Sequence, residues 1–505
     1  MLTIITSPKQ VSIVQKIIQS IDRLDELVSI DSSGSKPSYD HKIIYVEGAI
    51  IKIGFDWNDL EPAYIFPEIP FSENNLLALV FLKIGNFQKS LEFIDSDHFL
   101  YQHILIFVSL ITGETIYEHQ LIHASNYFSH NKAIVGHYGN CAYQKSKEEI
   151  IEYYETALSE ASESKGDRLF TCKHFINYLI DNDLHAYAEK LLRQYQPKAY
   201  NDDSANAFRV QQLALMKSAI KPPYEEGKLS EILALLEESI KYSEARNLLA
   251  NAGMLYMDAS EIANLKTDFV LATNYVNKAI ICFKKEEIPY FLAEAQLQKA
   301  VIQYTWSKHG SPQYYKYAIT HFQEALKFFT KENYPQKFAY IHHHIALIYS
   351  EMPVLDREKS FWVAFCVSSF EAALAFYTED NYTYEYAMVC HNYATALMSF
   401  PKNKSQRNYL KAFDLFEDAL KIRTEHDYPL ERVLTLLNQL ELYWLRYHEK
   451  EVDEEKSYEE MLLKANSIYK LTKDKFLVKK ADKHIKELKK IKEYFEEKKC
   501  MKFQS

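Results

Sequence analysis

The chain has 505 residues, of which 47% are hydrophobic and 25% charged, and it contains only 11 glycines and 14 prolines. This composition excludes a disordered chain and offers too little turn chemistry for an all-β protein, so it predicts a folded, helical protein. The formal net charge of −10 provides no overall attraction for nucleic acid or for an anionic membrane, so we expect neither as a partner.

The first 72 residues differ in pattern from the rest of the chain. Residues 9–27 have the apolar spacing of a helix, whereas LTIIT before them and KIIYVEGAIIKIGF after them are rich in β-branched residues, as strands are. We therefore expect a small α/β cap or an irregular extension over residues 1–72. The N-terminus has no signal-peptide pattern and no window approaches about 18 apolar residues, so the expected location is the cytoplasm.

The C-terminal half contains an internal repeat. Residues 315–353 align with residues 363–401 without a gap, and fainter copies lie on either side. The corresponding alanines of four successive copies are Ala279, Ala325, Ala373 and Ala419. Their spacings of 46, 48 and 46 residues lie in the range that indicates a solenoid of stacked supersecondary units. The predicted fold class is therefore all-α.

Two earlier stretches carry a family signature. Residues 76–94 read LLALVFLKIGNFQKSLEFI, with Gly85 and Phe87 between two helical patterns, and residues 137–158 place Gly139 and Ala157 similarly. These motifs resemble the tetratricopeptide repeat (TPR) family, over about residues 73–448. The resemblance implies an α-solenoid of helix pairs whose first helices line a concave, peptide-binding wall. The C-terminal units are longer than the family's usual length of about 34 residues, which leaves the curvature of that wall open.

The predicted organisation has four parts. Residues 1–72 form the cap, residues 73–220 a first TPR-like block, residues 228–450 a second block with the long repeats, and residues 451–505 the C-terminal capping helices. The stretch KPPYEEG between the two blocks is the candidate hinge, since consecutive prolines end one helix and a glycine permits a turn before the next.

The register of the repeats predicts which side chains face the concave wall. The predicted binding residues are Gln298, Tyr340, His343, His344, Leu347, Met388, His391, Asn392, Thr395, Leu434, Asn438 and Glu441. By the TPR resemblance, Asn392 and Asn438 stand where the family commonly uses an asparagine to bind the ligand backbone. His343 and His391 stand where chaperone-binding members have lysine, so a chaperone C-terminus is not the expected ligand.

Several residues invite a chemical interpretation. Consecutive His342, His343 and His344 point about 100° apart on a helix, and His119 and His123 supply only two ligands, so neither group predicts a metal site. Nucleophile and phosphate-binding motifs are absent from the sequence, and no cofactor is expected.

The six cysteines show no C-x-x-C pair, which fits small core residues in a reducing compartment. The C-terminal lysines are interspersed with acids and fit a solvated face better than a basic strip for RNA or an acidic partner; they are Lys479, Lys480, Lys483, Lys486, Lys489 and Lys490.

The sequence thus predicts a non-catalytic protein- or peptide-binding scaffold or adaptor, whose oligomeric state it leaves open. One alternative is a ligand-gated regulatory subunit of a multi-protein complex, by analogy with bacterial peptide-sensing TPR regulators and with helical arrays associated with caspase-like proteases, including defence systems. A second alternative is a helical metalloenzyme. The three hypotheses differ in what the purified protein should bind: a protein or peptide partner for a scaffold, a ligand together with an effector for a regulatory subunit, and stoichiometric metal for a metalloenzyme.

Overall fold

The computed structural model describes residues 2–33, 43–124, 129–160, 165–353, 355–400, 407–446 and 454–503. The chain divides into two compact units, Met1–Leu255 and Tyr256–Ser505, named here the first and second units. Among the described residues, no helix is both long enough and apolar enough to cross a membrane.

The first unit begins with a five-stranded sheet in the spatial order β2-β1-β3-β4-β5. The strands are β1 (Leu2–Thr6), β2 (Val28–Asp31), β3 (Ile43–Glu47), β4 (Ile50–Ile53) and β5 (Ile69–Pro70). β1 runs parallel to β2 and β3, and the remaining neighbours are antiparallel. Helix α1 (Val11–Gln19) shares a core with the sheet, so the predicted α/β cap is confirmed. The helix is shorter than predicted: it ends at Gln19, and after Arg23, whose φ of 60° is left-handed, the chain forms a separate 3-10 turn at Leu24–Glu26.

Ten further helices complete the described part of the first unit, apart from the beginning of α12. They are α2 (Glu73–Lys83), α3 (Phe87–Glu92), α4 (Phe99–Thr112), α5 (Glu118–Ala124), α6 (Ser129–Tyr138), α7 (Lys147–Glu160), α8 (Lys165–Asp181), α9 (His185–Tyr195), α10 (Asp202–Ser218) and α11 (Glu226–Ala245). Capping residues set several starts: Ser72 accepts the backbone N–H of Asn75, and Asn201 forms a capping box with Ser204.

Helix α12 (Leu249–Leu265) contains the division between the units, and the second unit continues as helices throughout its described part. These are α13 (Phe269–Lys285), α14 (Pro289–Lys308), α15 (Tyr314–Leu326), α16 (Pro335–Glu351), α17 (Lys359–Leu374), α18 (Thr383–Ser399), α19 (Arg407–Ile422), α20 (Pro429–Arg446), α21 (Glu454–Leu471) and α22 (Lys475–Phe503). Each of α14, α16 and α18 packs on the helix that follows it, so consecutive helices form pairs.

The aligned alanines lie where these helices meet. All four, Ala279, Ala325, Ala373 and Ala419, are fully buried. Around Ala373 the core contains Phe370 and Tyr393, whose rings stack with centroids 4.7 Å apart. Alanine has no side chain beyond Cβ, so it lets the backbones of neighbouring helices approach while the aromatic rings fill the remaining space.

The turns that join one pair to the next also repeat. In each turn a threonine hydroxyl accepts the backbone N–H of the residue three positions later, which closes the turn before the next helix starts. The pairs are Thr330 with Asn333, Thr378 with Asn381 and Thr424 with Asp427, at 3.3, 3.2 and 3.0 Å. Local turn chemistry and core packing therefore follow the same period.

Consecutive helix pairs with a small N-terminal sheet confirm the predicted fold class, an α-solenoid with a cap. The boundaries predicted between the cap, the two TPR-like blocks and the C-terminal helices remain predictions. Around the candidate hinge, α10 ends at Ser218 and α11 begins at Glu226.

Candidate functional site

The predicted binding residues of the second unit lie on the alternate helices α14, α16, α18 and α20. Tyr340, Thr395, Leu434 and Glu441 are exposed there, and His343 is buried. The remaining members are half-buried: Gln298, His344, Leu347, Met388, His391, Asn392 and Asn438. The structure therefore brings the predicted set onto neighbouring helices, but it places His343 beneath the surface.

His343 supports Asn392 from below. The side-chain amide of Asn392 on α18 donates to Nε2 of His343 on α16 across 2.9 Å. Burial lowers the pKa of His343 to about 3, so the ring is neutral and Nε2 can accept this bond. The Asn392 amide keeps a second N–H and a carbonyl oxygen beyond this bond.

The same arrangement recurs one repeat later. Asn438 on α20 contacts Nε2 of His391 at 3.4 Å and donates to the Thr395 hydroxyl at 3.0 Å. Nδ1 of His391 lies 3.1 Å from the hydroxyl of Thr435, which itself donates to a backbone carbonyl of α20 and accepts from Arg423. The ring tautomer that carries its proton on Nδ1 satisfies both contacts. Burial, and secondarily the Arg423 charge, lowers the pKa of His391 to about 3.

Two predicted residues are engaged in packing between elements. Gln298 donates its side-chain amide to the backbone carbonyl of Met257 at 2.9 Å. The ring of His344 stacks on Phe322 of α15 with centroids 5.6 Å apart and meets Tyr340 edge-on at 4.5 Å. His344 therefore faces the preceding helix pair, and it supports Tyr340 on the surface.

Glu441 takes part in a polar group that the sequence did not suggest. Its carboxylate lies 3.3 Å from Nε2 of the buried His484 on α22, and Nδ1 of that ring accepts the indole N–H of Trp444 at 2.7 Å. His484, Thr435 and Arg423 were missed because no repeat register or local spacing links them to the predicted residues; only three-dimensional packing does.

An apolar row runs beside the polar one. Tyr340, Met388 and Leu434 occupy equivalent positions of three consecutive repeats, one helical turn before His344, Asn392 and Asn438 respectively. Tyr340 and Leu434 are exposed, and the accessible fraction of Leu434 is 41%. Tyr384 and Leu430, also exposed, lie one turn before Met388 and Leu434. Large apolar side chains exposed in a contiguous set are typical of interaction surfaces.

The other residues singled out in the sequence have ordinary environments. Among the described residues there is no group of three histidine, cysteine or acidic side chains that could hold a metal ion. The side chains of His123 and Cys500 lie outside the described part of the chain. Cys141, Cys172, Cys282, Cys366 and Cys390 are free thiols. The six C-terminal lysines line the exposed side of α22.

Comparisons with known proteins identify no family for this chain. Protein-family models give no match to the sequence, and curated proteins give no match either. Among solved structures, the chain is similar to a circular tandem repeat protein with novel repeat topology and enhanced subunit contact surfaces, at 9% identity, over 83% of this chain and 88% of that chain, with a TM-score of 0.22. A similarity of this size carries no argument about function, so the class of the protein, a helical repeat protein, rests on its own helix pairs.

Proposed function

We propose that the chain is a TPR-type, non-catalytic scaffold or adaptor of the cytoplasm that binds a protein or peptide segment on the face formed by α16, α18 and α20. The observation that carries the proposal is the apolar row at equivalent repeat positions, exposed Tyr340 and Leu434 with half-buried Met388 between them, beside the amides of Asn392 and Asn438. Apolar anchors next to amides suit an extended segment, because the anchors bind its side chains and the amides bind its backbone.

The residues have different roles in this proposal. Tyr340, Met388 and Leu434 provide apolar contact area, and Asn392, Thr395, Asn438 and Glu441 provide hydrogen bonds. His343 and His391 position the two asparagines, since each ring holds one amide between neighbouring helices. His344 packs α16 of this face against α15, and Gln298 joins the preceding helices α14 and α12.

The test compares two double variants of the full-length chain. A partner captured from the native host and produced in pure form is titrated into wild type and into the variant Tyr340→Ala with Leu434→Ala. Since truncating anchor residues costs about 2 kcal/mol or more at an interface, its affinity should fall about thirtyfold or more.

The control removes apolar side chains that are more exposed than Tyr340 and Leu434, in Leu463→Ala with Phe476→Ala. Their accessible fractions are 72% and 66%, and they lie on α21 and α22. This control should bind the partner like wild type. Equal binding by both double variants would show that the proposed face is not the binding face.

A further inference from the structure

A segment of the first unit, residues 55–66, crosses four helices without joining the sheet. It connects β4 to β5, and its residues 62–66 have no regular secondary structure. Side chains on α2, α4, α6 and α8 bind its backbone and its charged and aromatic side chains. In addition, Tyr242 on α11 donates to the side chain of Asn58 at 3.1 Å, and Trp57 packs on Tyr200.

The backbone of this crossing segment is held by two adjacent residues of α6. Asn131 accepts the N–H of Ile65 at 2.9 Å and donates to the carbonyl of the same residue at 2.8 Å. His130 donates from Nε2 to the carbonyl of Ala63 at 2.7 Å, and its Nδ1 lies 3.0 Å from the hydroxyl of Thr171 on α8. The Asn131 side chain thus bonds both the backbone N–H and the backbone carbonyl of one residue, as a neighbouring strand does in a β-sheet.

Two buried lysines hold the carboxylates of the segment. Lys83 on α2 pairs with Glu61, and Lys173 on α8 pairs with Asp59 at 2.5 Å. The accessible fractions of the two lysine side chains are 2% and 4%, whereas that of Asp59 is 56%. A lysine taken out of water needs an anionic partner, so these helices offer two fixed positive charges to whatever covers them.

Aromatic side chains complete the match. Phe55 stacks on Phe170 of α8 with centroids 4.8 Å apart, and Trp57 meets the same ring edge-on at 5.4 Å. At the other end, the Tyr64 hydroxyl lies 2.7 Å from Nδ1 of His103 on α4. Aromatic residues therefore lie on both sides of the two carboxylates, and each contacts a helix side chain.

We propose that residues 55–66 are an intramolecular ligand, and that the surface beneath them recognises a segment of a partner protein with the same chemistry: two carboxylates two residues apart, with aromatic side chains on both sides. This surface consists of Lys83, His103, His130, Asn131, Phe170 and Lys173. Charge complementarity identifies the partner class, because two buried lysines select an acidic segment and reject a neutral or basic one.

Covalent linkage gives the crossing segment an advantage over any partner. A tethered ligand acts at an effective concentration on the order of millimolar, so a free peptide of equal intrinsic affinity is excluded until the tethered copy is weakened. The segment thus occludes the surface in the wild-type chain, and weakening the segment, without changing the surface, exposes the site.

The experiment uses the full-length chain and a fluorescent peptide with the sequence of residues 54–66, GFDWNDLEPAYIF. The weakened chain is Asp59→Asn with Tyr64→Phe, which removes one carboxylate and one hydroxyl from the segment and leaves every residue of the surface in place. Fluorescence anisotropy should show binding to the weakened chain about tenfold tighter, or more, than to wild type. If the weakened chain does not fold, the single variant Asp59→Asn is compared with wild type instead. We expect this variant to fold because the Asp59 carboxylate is more than half exposed.

Three controls locate the binding. A peptide with asparagine in place of Asp59 and glutamine in place of Glu61 should bind the weakened chain about tenfold less tightly. Adding Lys173→Gln to the weakened chain should cause a similar loss, because the peptide's own aspartate then has no cation. Glu68→Gln in the wild-type chain, which removes an exposed carboxylate of the sheet region, should leave the affinity for the peptide at the wild-type level. A folded weakened chain that does not bind the acidic peptide, or that binds both peptides equally, overturns the proposal.

Discussion

Asn392 and His343 join helices α18 and α16 through a 2.9 Å hydrogen bond, and Asn438 contacts His391 at the same relative positions between α20 and α18. The two pairs are 49 and 47 residues apart, which in each case is one residue more than the repeat spacing of 48 or 46. The bond therefore links successive repeats across the face proposed to bind a partner, so the positions of the asparagines depend on the histidines behind them.

A double-mutant cycle measures this link. His343→Ala and Asn392→Ala should each destabilise the chain, but the double variant should lose less than their sum, with a coupling free energy of about 0.5–1.5 kcal/mol. Urea unfolding of the four proteins gives the value. As a control, His343→Ala combined with Asn466→Ala should be additive, because Asn466 bonds within its own helix. Additive behaviour of the first pair would mean that the bond contributes nothing in solution.

The buried alanines allow a test of the repeat core. Ala373→Leu on α17 should destabilise the second unit by about 1–3 kcal/mol, since a leucine cannot fit where two helices touch without displacing them. The matched control is Ala364→Leu on the same helix, where the alanine is exposed. Thermal melts should show a lower midpoint for the first variant only. Equal melts for both would show that Ala373 is not at a close contact.

The repeat architecture was predictable because short sequence patterns determine it. The alanine period and the threonine turns recur at fixed offsets, and each copy must satisfy the same packing, so alignment alone places Ala325 and Ala373 in one role. The register also placed His343 and Asn392 on neighbouring helices. It did not show that one would be buried and bonded to the other, because exposure depends on small rotations of each helix about its axis.

The crossing segment could not be predicted in this way. Its contacts join residues far apart in the chain, such as Asp59 with Lys173 and Ile65 with Asn131, and no repeat copy supplies an analogue. Its sequence, with three acidic residues among aromatic ones, has no periodicity that indicates which helices it meets. The lysines that receive it lie within helical patterns where a lysine is usually solvated.

Loss of one carboxylate from the crossing segment should be unusually costly. Glu61→Gln leaves Lys83 buried without an anion, and an uncompensated buried charge costs about 3–5 kcal/mol. The matched substitution Glu68→Gln removes the partner of exposed Lys52 and should cost about 0–1 kcal/mol. Urea unfolding followed by circular dichroism compares the two. Similar small losses would show that Lys83 reaches water in solution.

Two histidines of the second unit, buried His343 and half-buried His391, make its stability depend on pH. Burial lowers the pKa of His343 and of His391 from 6.5 to about 3 in the folded chain. Between these values the unfolded chain binds more protons than the folded chain, so stability that is complete above about pH 6.5 is lost as the pH falls. Each such histidine contributes a slope of about 1.4 kcal/mol per pH unit in this window. Unfolding free energies from urea titrations at about pH 7, 6 and 5 should therefore fall steeply for wild type.

Replacing the two rings should flatten this dependence. In His343→Gln with His391→Gln, an amide can still accept a hydrogen bond from each asparagine but cannot titrate, so the slope below about pH 6.5 should be smaller than that of wild type. The control is His426→Gln: this histidine is fully exposed, and the neighbouring Asp427 raises its pKa. His426 contributes to stability with the opposite sign: its contribution is present below its unfolded-state pKa and is lost as the pH rises through its folded-state pKa. Removing His426 should therefore not reduce the slope with which the unfolding free energy falls below about pH 6.5. An unchanged slope in the double variant would show that the two rings are protonated in the folded chain as readily as in the unfolded one.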